Sequence, residues 1–513
     1  MGDPALFCTL YFMFIRQKKN KSGVISIQII KKIKGKSKLI KTIGSSADPK
    51  TIKSLLLKAQ NYIDHYGGQK TLDFKQSTSL TEVLQNITAH IEIGTELLLT
   101  PIYNAIGFNS IDSILLRELV FARIINPVSK LKTSDYLQKN KNIDVSARQI
   151  YRYLDKLYNE HKDKIQQISY RHTLKILGGI ISVVFYDVTT LYFQIDNEDD
   201  LRKRGFSKEG KHQNPQIVLG LLVSIDGYPL AFDIFEGNKF EGYTMLPILD
   251  TFKQKYDLEK LVVIADSGLL SLQNIKELQE KGYEFILGAR IKNESNEIKE
   301  KILSLKLKNG ESKIIEKTDD LKLIISYSDK RAKKDKYNRE RGLKRLEKQL
   351  KSGKLTKSNI NNRGYNKYLK MDGEIKISID KEKFNHDGKW DGLKGYITNT
   401  SLTKDQIIEN YGHLWKIEKA FRISKHDLKI RPIYHQIQRR IESHITINFI
   451  AYKIYKELER LLKEKKTELS PEKAIDIAKT IYQIQIKEGE QIIKHNIIIT
   501  NEQKELSKLF EFG

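Results

Sequence analysis

Residues 180–188 read IISVVFYDV, an apolar run in which only Ser182 and Asp187 are polar. A short run without regular polar alternation is typical of a strand that is buried on both faces. A second run of this kind, LVVIA at residues 261–265, is followed directly by Asp266. The sequence therefore predicts two buried strands that each deliver one carboxylate to a fixed position.

The segments around these two runs complete a core. Residues 216–224 and 229–236 predict two more strands, joined by a turn at Asp226 and Gly227. Residues 244–255 and 272–281 predict helices, and residues 283–289 predict a fifth strand. Three strands followed by helix, strand, helix and strand is the order of a ribonuclease-H-like core. The predicted fold class is thus α/β, with a mixed five-stranded sheet flanked by helices.

The rest of the chain is predicted to surround or interrupt this core. A basic, β-rich insertion and a mostly helical N-terminal DNA-binding region are its main additions. The predicted divisions are a small β unit at 1–48, beginning with a strand at 11–15; the helical DNA-binding region at 49–175; the first part of the core at 176–291; the insertion at 292–395; the second part of the core at 396–465; and a helical C-terminal tail at 466–513.

Composition limits the function classes. The formal charge of +26 favours a polyanionic partner, either nucleic acid or an anionic membrane surface, although a lysine-rich composition can also reflect an AT-rich genome. Cys8 is the only cysteine, which excludes an intrachain disulfide or a cysteine zinc site and fits a cytoplasmic location. Residues 5–15 are too short to span a bilayer, and their positive charges follow the apolar run, so we expect no membrane partner.

Two basic helices are candidate DNA contacts. Ser146 can cap a helix whose apolar side leaves Arg148, Gln149 and Arg152 pointing elsewhere, as in a helix-turn-helix reading helix. An ordinary amphipathic helix in a bundle explains this segment equally well. Residues 330–357 hold 13 Lys or Arg against three acids, which indicates either DNA contact or a solvated charged helix.

The carboxylates suggest metal chemistry. A carboxylate at the end of a buried strand needs a partner, and Mg²⁺ is bound by such oxygen ligands. A third acid is expected in a two-metal site, and Glu418 is the best candidate. A helix predicted from residue 405 to about 425 would place Tyr411, Glu418 and Lys425 on one face. Taken singly, the acids could instead pair with a lysine (Asp187), cap a turn (Asp266) or lie on the surface (Glu418).

Four motifs resemble the insertion-sequence transposases of the bacterial IS-four superfamily, in the branch with a long β-rich insertion. They are FYDVTTL at 185–191, GKHQNPQ at 210–216, IADSG at 264–268 and WKIEKAFR at 415–422. The resemblance implies DDE chemistry, in which Asp187, Asp266 and Glu418 are catalytic and bind two Mg²⁺ ions, with Mn²⁺ as a substitute. It also implies a bacterial, nucleoid-associated homodimer that binds double-stranded DNA at terminal inverted repeats, cuts it, and joins the ends to target DNA.

The resemblance extends to DNA contacts by Tyr411 and Lys425, with one departure. Leu414 stands where the family carries an arginine that would clamp phosphate, and Arg422, one turn beyond Glu418, is a candidate replacement. Two other functions stay open at this stage. One is a ribonuclease-H-like nuclease that cuts DNA without strand transfer, and the other is a catalytically inactive relative that only binds DNA.

Overall fold

The structure, a computed structural model, describes residues 13–33, 36–64, 84–258, 260–318, 320–362, 364–372 and 376–512. Some predictions concern residues outside these ranges. They include the start of the predicted strand at 11–15, part of the predicted helical region at 49–175 and part of the predicted insertion at 292–395. Within the described ranges, none of the helices has both the length and the apolar character needed to cross a membrane.

Sixteen strands and sixteen α-helices account for most of the described residues. The strands are β1 (Met13–Lys19), β2 (Ile25–Ile33), β3 (Lys36–Ser46), β4 (Ile87–Glu92), β5 (Val183–Tyr192), β6 (Gln216–Ser224), β7 (Pro229–Glu236), β8 (Val262–Ala265), β9 (Glu284–Ala289), β10 (Ser312–Thr318), β11 (Leu321–Tyr327), β12 (Leu369–Asp372), β13 (Lys376–Ile379), β14 (Leu393–Thr398), β15 (Tyr482–Glu488) and β16 (Gln491–Ile497). The helices are α1 (Pro49–Asp64), α2 (Gly94–Ile106), α3 (Ile114–Ile125), α4 (Lys130–Lys141), α5 (Ala147–Glu160), α6 (Lys162–Ile176), α7 (Met245–Tyr256), α8 (Leu272–Glu280), α9 (Asn296–Ser304), α10 (Asp329–Lys351), α11 (Lys381–Gly388), α12 (Lys404–Gly412), α13 (Trp415–Arg422), α14 (Gln438–Glu464), α15 (Pro471–Ala478) and α16 (Asn501–Phe510).

The five predicted core strands form one continuous part of the main sheet, in the order β7-β6-β5-β8-β9. Strand β5 pairs antiparallel with β6 and parallel with β8, and β8 pairs parallel with β9. Numbered along the chain, this order is third, second, first, fourth, fifth, with the last two strands parallel to the first. That is the topology of a ribonuclease-H-like core, so the predicted fold class is confirmed.

Helices cover both faces of this sheet, which explains why its strands are apolar throughout. Phe185 of β5 packs in one apolar cluster together with side chains of α2, α3, α5 and α14. Val184 and Tyr186 face the opposite way, into a cluster with α7 and α8. Full burial of a large apolar side chain stabilises a fold by about 1.5–3 kcal/mol, so these two layers hold β5 tightly in place.

The main sheet has eight strands rather than the predicted five. Strands β10, β11 and β14 of the predicted insertion continue it beyond β9, in the order β10-β11-β14-β9. The largest element of the insertion is the helix α10, and the hairpin of β12 and β13 forms a separate small sheet. The insertion is therefore mixed α/β rather than β-rich, and it shares a sheet with the core because antiparallel pairing with β9 places β14 there.

The chain divides into two units, Met1–Ile87 with Ile486–Glu490, and the remainder. In the first unit, strands β1, β2 and β3 form an antiparallel sheet, and its buried core includes Ile27, Ile29 and Ala59. Helix α1 contributes Ala59 to this core, although the sequence assigned it to the next region.

The second unit also departs from the predicted divisions. Helices α2 to α6 lie before the core, where the sequence predicted a mostly helical region. Strand β4, which precedes them, was not predicted. The predicted helical tail contains α15, the hairpin strands β15 and β16, and α16, and the three strands form a sheet in the order β16-β15-β4. The prediction missed this sheet because β4 and β15 pair across nearly the whole chain, and such a distant partner leaves no local signal.

Candidate active site

Asp187 and Asp266 lie beside each other in the main sheet. In the parallel pairing of β5 with β8, Tyr186 is opposite Ala265, so the next residue of each segment is an aspartate. The alternation of side chains puts both carboxylates on one face, the face occupied by Phe185 and Ile264. The structure thus brings together the two acids that the sequence singled out first.

Asp187 is held in a half-buried position, and its side chain is 21% exposed. The backbone N–H of Val188 donates a hydrogen bond of 2.8 Å to its Oδ1. Burial raises the pKa of Asp187 to about 6, with smaller upward contributions from Glu241 and Asp266 and an opposing contribution from Lys208. The ionised form of this carboxylate is therefore destabilised unless more positive charge is supplied nearby.

Lys208 and Glu241 belong to the site, and the sequence analysis missed both. Lys208 Nζ lies 3.8 Å from Asp187 Oδ1 and 3.3 Å from Glu241 Oε1, and it donates a hydrogen bond of 2.8 Å to the carbonyl of Val188. Both residues lie beyond strand ends, Lys208 in a turn after β5 and Glu241 at the start of a short 3-10 helix after β7. The one sequence signal is that Lys208 lies two residues before the GKHQNPQ segment at 210–216, which does not reveal a contact with Asp187.

Asp266 follows β8 and is exposed. The N–H of Ser267 donates a hydrogen bond of 2.7 Å to Asp266 Oδ1, and the hydroxyl of Tyr411 donates one of 3.3 Å to the same atom. Tyr411 itself is buried, and burial followed by the charge of Asp266 raises the pKa of its phenol. Gly288 of β9 makes room for this contact, because a Cβ there would overlap Tyr411 Oη.

Glu418 lies on the first turn of α13 and is exposed. Its charge raises the pKa of Tyr411 and opposes the lowering of the pKa of Lys394, which is due first to burial. Lys394 Nζ also lies 4.3 Å from the centre of the Tyr411 ring. Asp266 interacts with both Tyr411 and Lys394, so these two residues link Glu418 electrostatically to Asp266.

The predicted three-acid set is only partly assembled. In the part of the chain that the structure describes, no group of three His, Cys, Asp or Glu side chains is close enough to hold a metal ion. The chemistry of Asp187 and Asp266 nevertheless fits a hard divalent cation, since their oxygens are the ligands such ions prefer. Glu241 Oε1 supports this fit, because it is buried without a hydrogen-bond partner among the described residues.

The helix predicted from residue 405 to about 425 is not continuous. Helix α12 ends at Gly412, a turn holds His413 and Leu414, and α13 ends at Arg422, where a π-helical turn begins (Ile423–Asp427). This interruption divides the predicted stripe, so that Tyr411 donates to Asp266 and Lys425 forms an ion pair of 2.7 Å with Glu209. The prediction of one continuous helix was therefore wrong, and Tyr411 and Lys425 contact different residues, Asp266 and Glu209.

The other predicted DNA contacts are placed as follows. Leu414 is buried in the apolar cluster under the sheet, where an arginine would be costly, and Arg422 is exposed at the end of α13. Arg148 and Arg152 are exposed on α5. Gln149 is exposed too, but its Oε1 accepts hydrogen bonds of 2.7 Å from the N–H and the hydroxyl of Ser146, which closes a capping box.

A cleft of about 550 Å³ opens beside Ser267 and Lys394. Its basic lining residues are Arg290, Lys292, Arg331, Arg339, Lys367 and Lys394. Several of them are neutralised, for example Lys292 by Asp387 at 3.0 Å and Arg339 by Asp391 at 2.5 Å. The cleft therefore runs from Ser267, the residue after Asp266, along the basic insertion.

Comparisons with known proteins give one match that covers more than half of the chain. A family model described as "Transposase DDE domain" matches residues 179–454. No curated protein matches the sequence. A solved structure of a piggyBac transposase synaptic complex with hairpin DNA is 11% identical, with a TM-score of 0.37, and the match covers 76% of this chain and 70% of that one. A Mos1 transposase paired-end complex with the left transposon end is 10% identical, with a TM-score of 0.16, covering 47% and 68%. TM-scores this low carry no weight for function.

Proposed function

The chain belongs to the family of transposase DDE domains, and from this membership we propose that it cuts DNA at terminal inverted repeats and joins the ends to target DNA. The observation that carries the proposal is the adjacency of Asp187, in the middle of β5, and Asp266, which directly follows the parallel strand β8, on one face of the sheet. The substrate is double-stranded DNA, and the working form is a homodimer on paired DNA ends.

Asp187, Asp266 and Glu418 would hold two Mg²⁺ ions, with Mn²⁺ as a substitute. When bound, such ions lower the pKa of the attacking oxygen and stabilise the leaving oxygen of an in-line phosphoryl transfer. The raised pKa of Asp187 supports this assignment, because a carboxylate that is costly to ionise alone gains most from a cation. Glu418 would complete the set from α13, the helix that leads into the π-helical turn.

The remaining residues of the site position these acids. Lys208 offsets part of the repulsion between Asp187 and Glu241, since its ammonium lies within 4 Å of both carboxylates. Tyr411 fixes the orientation of Asp266 by its hydrogen bond. Lys394 provides positive charge between Asp266 and Glu418, in the cleft that borders the insertion.

DNA is held by basic surfaces on either side of the acids. We assign Lys425 and Arg422 to the backbone of the transposon end, and Arg148, Gln149 and Arg152 to a further DNA contact on α5. Tyr411 acts on DNA indirectly, through Asp266. Contacts of this electrostatic kind weaken steeply as salt concentration rises.

Cleavage of DNA that carries the inverted repeats flanking the gene tests the proposal. Wild-type protein is expected to nick and join this DNA with Mg²⁺, and Asp187→Asn and Asp266→Asn to lose both activities. Asp405→Asn is the matched control, because Asp405 is an exposed acid at the start of α12. Equal cutting by Asp187→Asn and wild type would refute the assignment. Hydrolysed ends without joined products would identify a nuclease, and binding without metal-dependent cutting would identify an inactive relative.

A further inference from the structure

A second cavity of about 550 Å³ lies beyond the end of β5. Its walls are residues 192–195, Arg202 and residues 431–436. Tyr192 is five residues along the same strand from Asp187, which corresponds to roughly 17 Å at about 3.3 Å per residue. The cavity is therefore separate from the carboxylates of the candidate active site.

Two arginines line this cavity, and each has one buried nitrogen that forms no hydrogen bond with the described residues. Arg202 is held by Asp199 at 2.6 Å, and Arg431 by Glu209 at 2.7 Å. Arg202 Nη1 and Arg431 Nε are buried, and neither has a hydrogen-bond partner in the described ranges. Arg202 is only 8% exposed, so its free N–H cannot be satisfied simply by turning the side chain into solvent. Buried donors of this kind are unusual in a folded protein and favour an acceptor that arrives with a ligand.

The wall formed by His435 is backed by more positive charge. Arg123 is buried behind it and forms no ion pair with a described carboxylate, whereas burial lowers the pKa of the neighbouring Lys130 well below its usual value, so only Arg123 is counted as a positive charge. Arg123 Nε is a third buried N–H without a partner among the residues that are described. Arg440, which also acts on His435, is already neutralised by Asp155 at 2.9 Å. The described lining of the cavity holds no carboxylate. Asp199 and Glu209 offset the charge of its two arginines, but the N–H groups that are left without a partner suit an anion that accepts hydrogen bonds.

The cavity also offers aromatic faces. The guanidinium of Arg431 stacks over the ring of Tyr192 at 4.0 Å, and Phe193 lies beside Arg202 at 5.4 Å. Tyr434 lines the cavity with 65% of its surface exposed, although its ring is large and apolar. Aromatic rings next to guanidinium groups are the combination that binds a base together with its phosphate.

We propose that this cavity binds one nucleotide, with its phosphate on Arg202 and Arg431 and its base against Tyr434. The ligand is either a nucleotide within a DNA strand or a free nucleotide, and both present the same chemistry. Neither binding event requires the cleavage reaction, so the proposal stands independently of the transposase activity.

Calorimetric titration of the full chain tests this in the absence of divalent metal, where the proposed cleavage cannot proceed. The probes are thymidine 5′-monophosphate, thymidine, inorganic phosphate and a single-stranded oligothymidylate. Arg431→Gln is expected to weaken binding of the monophosphate or the oligonucleotide about tenfold or more, and Tyr434→Ala about fivefold or more. Lys504→Gln removes one positive charge from the exposed face of α16 and is expected to change affinity less than twofold. Tyr434 is exposed, so its variant keeps the test valid if an arginine variant fails to fold.

The outcomes separate the two sources of nucleotide. Binding of thymidine 5′-monophosphate that both variants weaken supports a free-nucleotide site. Binding of the oligonucleotide alone, with the same losses, supports a nucleotide within a strand. Equal affinity for inorganic phosphate and the monophosphate would overturn the proposal, as would equal losses in Lys504→Gln, or the absence of any effect of Arg431→Gln and Tyr434→Ala.

Discussion

Replacing Asp187 by Asn is expected to abolish DNA cleavage and yet to stabilise the metal-free protein. Burial raises the pKa of Asp187 from 3.8 in the unfolded chain to about 6 in the folded one. A carboxylate whose pKa rises on folding adds stability while it is protonated, and this contribution is lost as pH rises through the folded pKa. Asparagine resembles the protonated acid, so the variant keeps at pH 8 the stability that the wild type has lost.

The expected difference follows from the size of the shift. At about 1.4 kcal/mol per pKa unit, the variant is more stable by about 3 kcal/mol at pH 8 and by about 1 kcal/mol at pH 4.5. Partial exposure of the carboxylate (21%) screens the effect, so about 2 kcal/mol at pH 8 is a realistic value. The stability of Asp187→Asn relative to wild type is therefore expected to increase as the pH rises from 4 to 6.

Urea denaturation in EDTA, followed by tryptophan fluorescence, measures this difference. Both tryptophans, Trp390 and Trp415, lie in the unit that contains Asp187, so their emission reports on that unit. Asp405→Asn is the control and is expected to differ little from wild type at either pH. Saturating Mg²⁺ should stabilise wild type by about 2.7 kcal/mol at 100 times its Kd and leave Asp187→Asn nearly unchanged. A stability difference that is absent at pH 8, or that does not depend on pH, would refute this reasoning.

Three further changes test the surroundings of the two aspartates. Gly288→Ala is expected to push Tyr411 away from Asp266 and to slow single-turnover cleavage about tenfold, because the added Cβ overlaps the phenol. Lys208→Met is expected to raise the pKa of Asp187 further, so that the acid limb of the pH–rate profile of cleavage moves to higher pH. Arg152→Gln is expected to weaken DNA binding at all sequences and to reduce the slope of log affinity against log salt by about one.

Each of these variants has a matched control elsewhere in the chain. Gly412→Ala introduces a Cβ that meets nothing within 4 Å, so equal slowing by the two alanines would contradict the overlap. Lys239→Met removes an exposed lysine that lies two residues before Glu241. If it shifts the pH–rate profile of cleavage as much as Lys208→Met does, the shift does not depend on the contact between Lys208 and Asp187. Lys504→Gln removes an exposed charge from α16, and an equal loss of DNA affinity would show that α5 makes no specific contact.

The core was predictable because its signals are local. Apolar runs that are buried on both faces stand out in sequence, and the order of strands and helices determined the sheet from β5 to β9. The extension of the sheet by β14 was not predictable, because its pairing partner β9 lies about a hundred residues earlier and two strands of the segment between them, β10 and β11, join the same sheet beyond β14. The pairing of β4 with β15 was hidden for the same reason.

The site was predictable in part. Asp187 lies within one recognisable strand and Asp266 directly follows another, so their positions could be deduced before their contacts were known. Lys208 and Glu241 lie beyond strand ends, where only the folded chain shows which side chains meet. The sequence analysis predicted that Tyr411 contacts DNA from one face of a continuous helix. In the structure a turn separates α12 from α13, and the hydroxyl of Tyr411 donates a hydrogen bond to Asp266.

Metal specificity tests the central claim most directly. Cysteine binds soft metal ions better than Mg²⁺, so a ligand changed to cysteine should trade Mg²⁺ activity for activity with a more thiophilic ion. Asp266→Cys is therefore expected to lose cleavage of inverted-repeat DNA with Mg²⁺ and to regain at least part of it with Mn²⁺, while wild type cuts with both. If Asp266→Cys cuts with Mg²⁺ as wild type does, or if wild type cuts equally well in EDTA, Asp266 is not a metal ligand and the account fails.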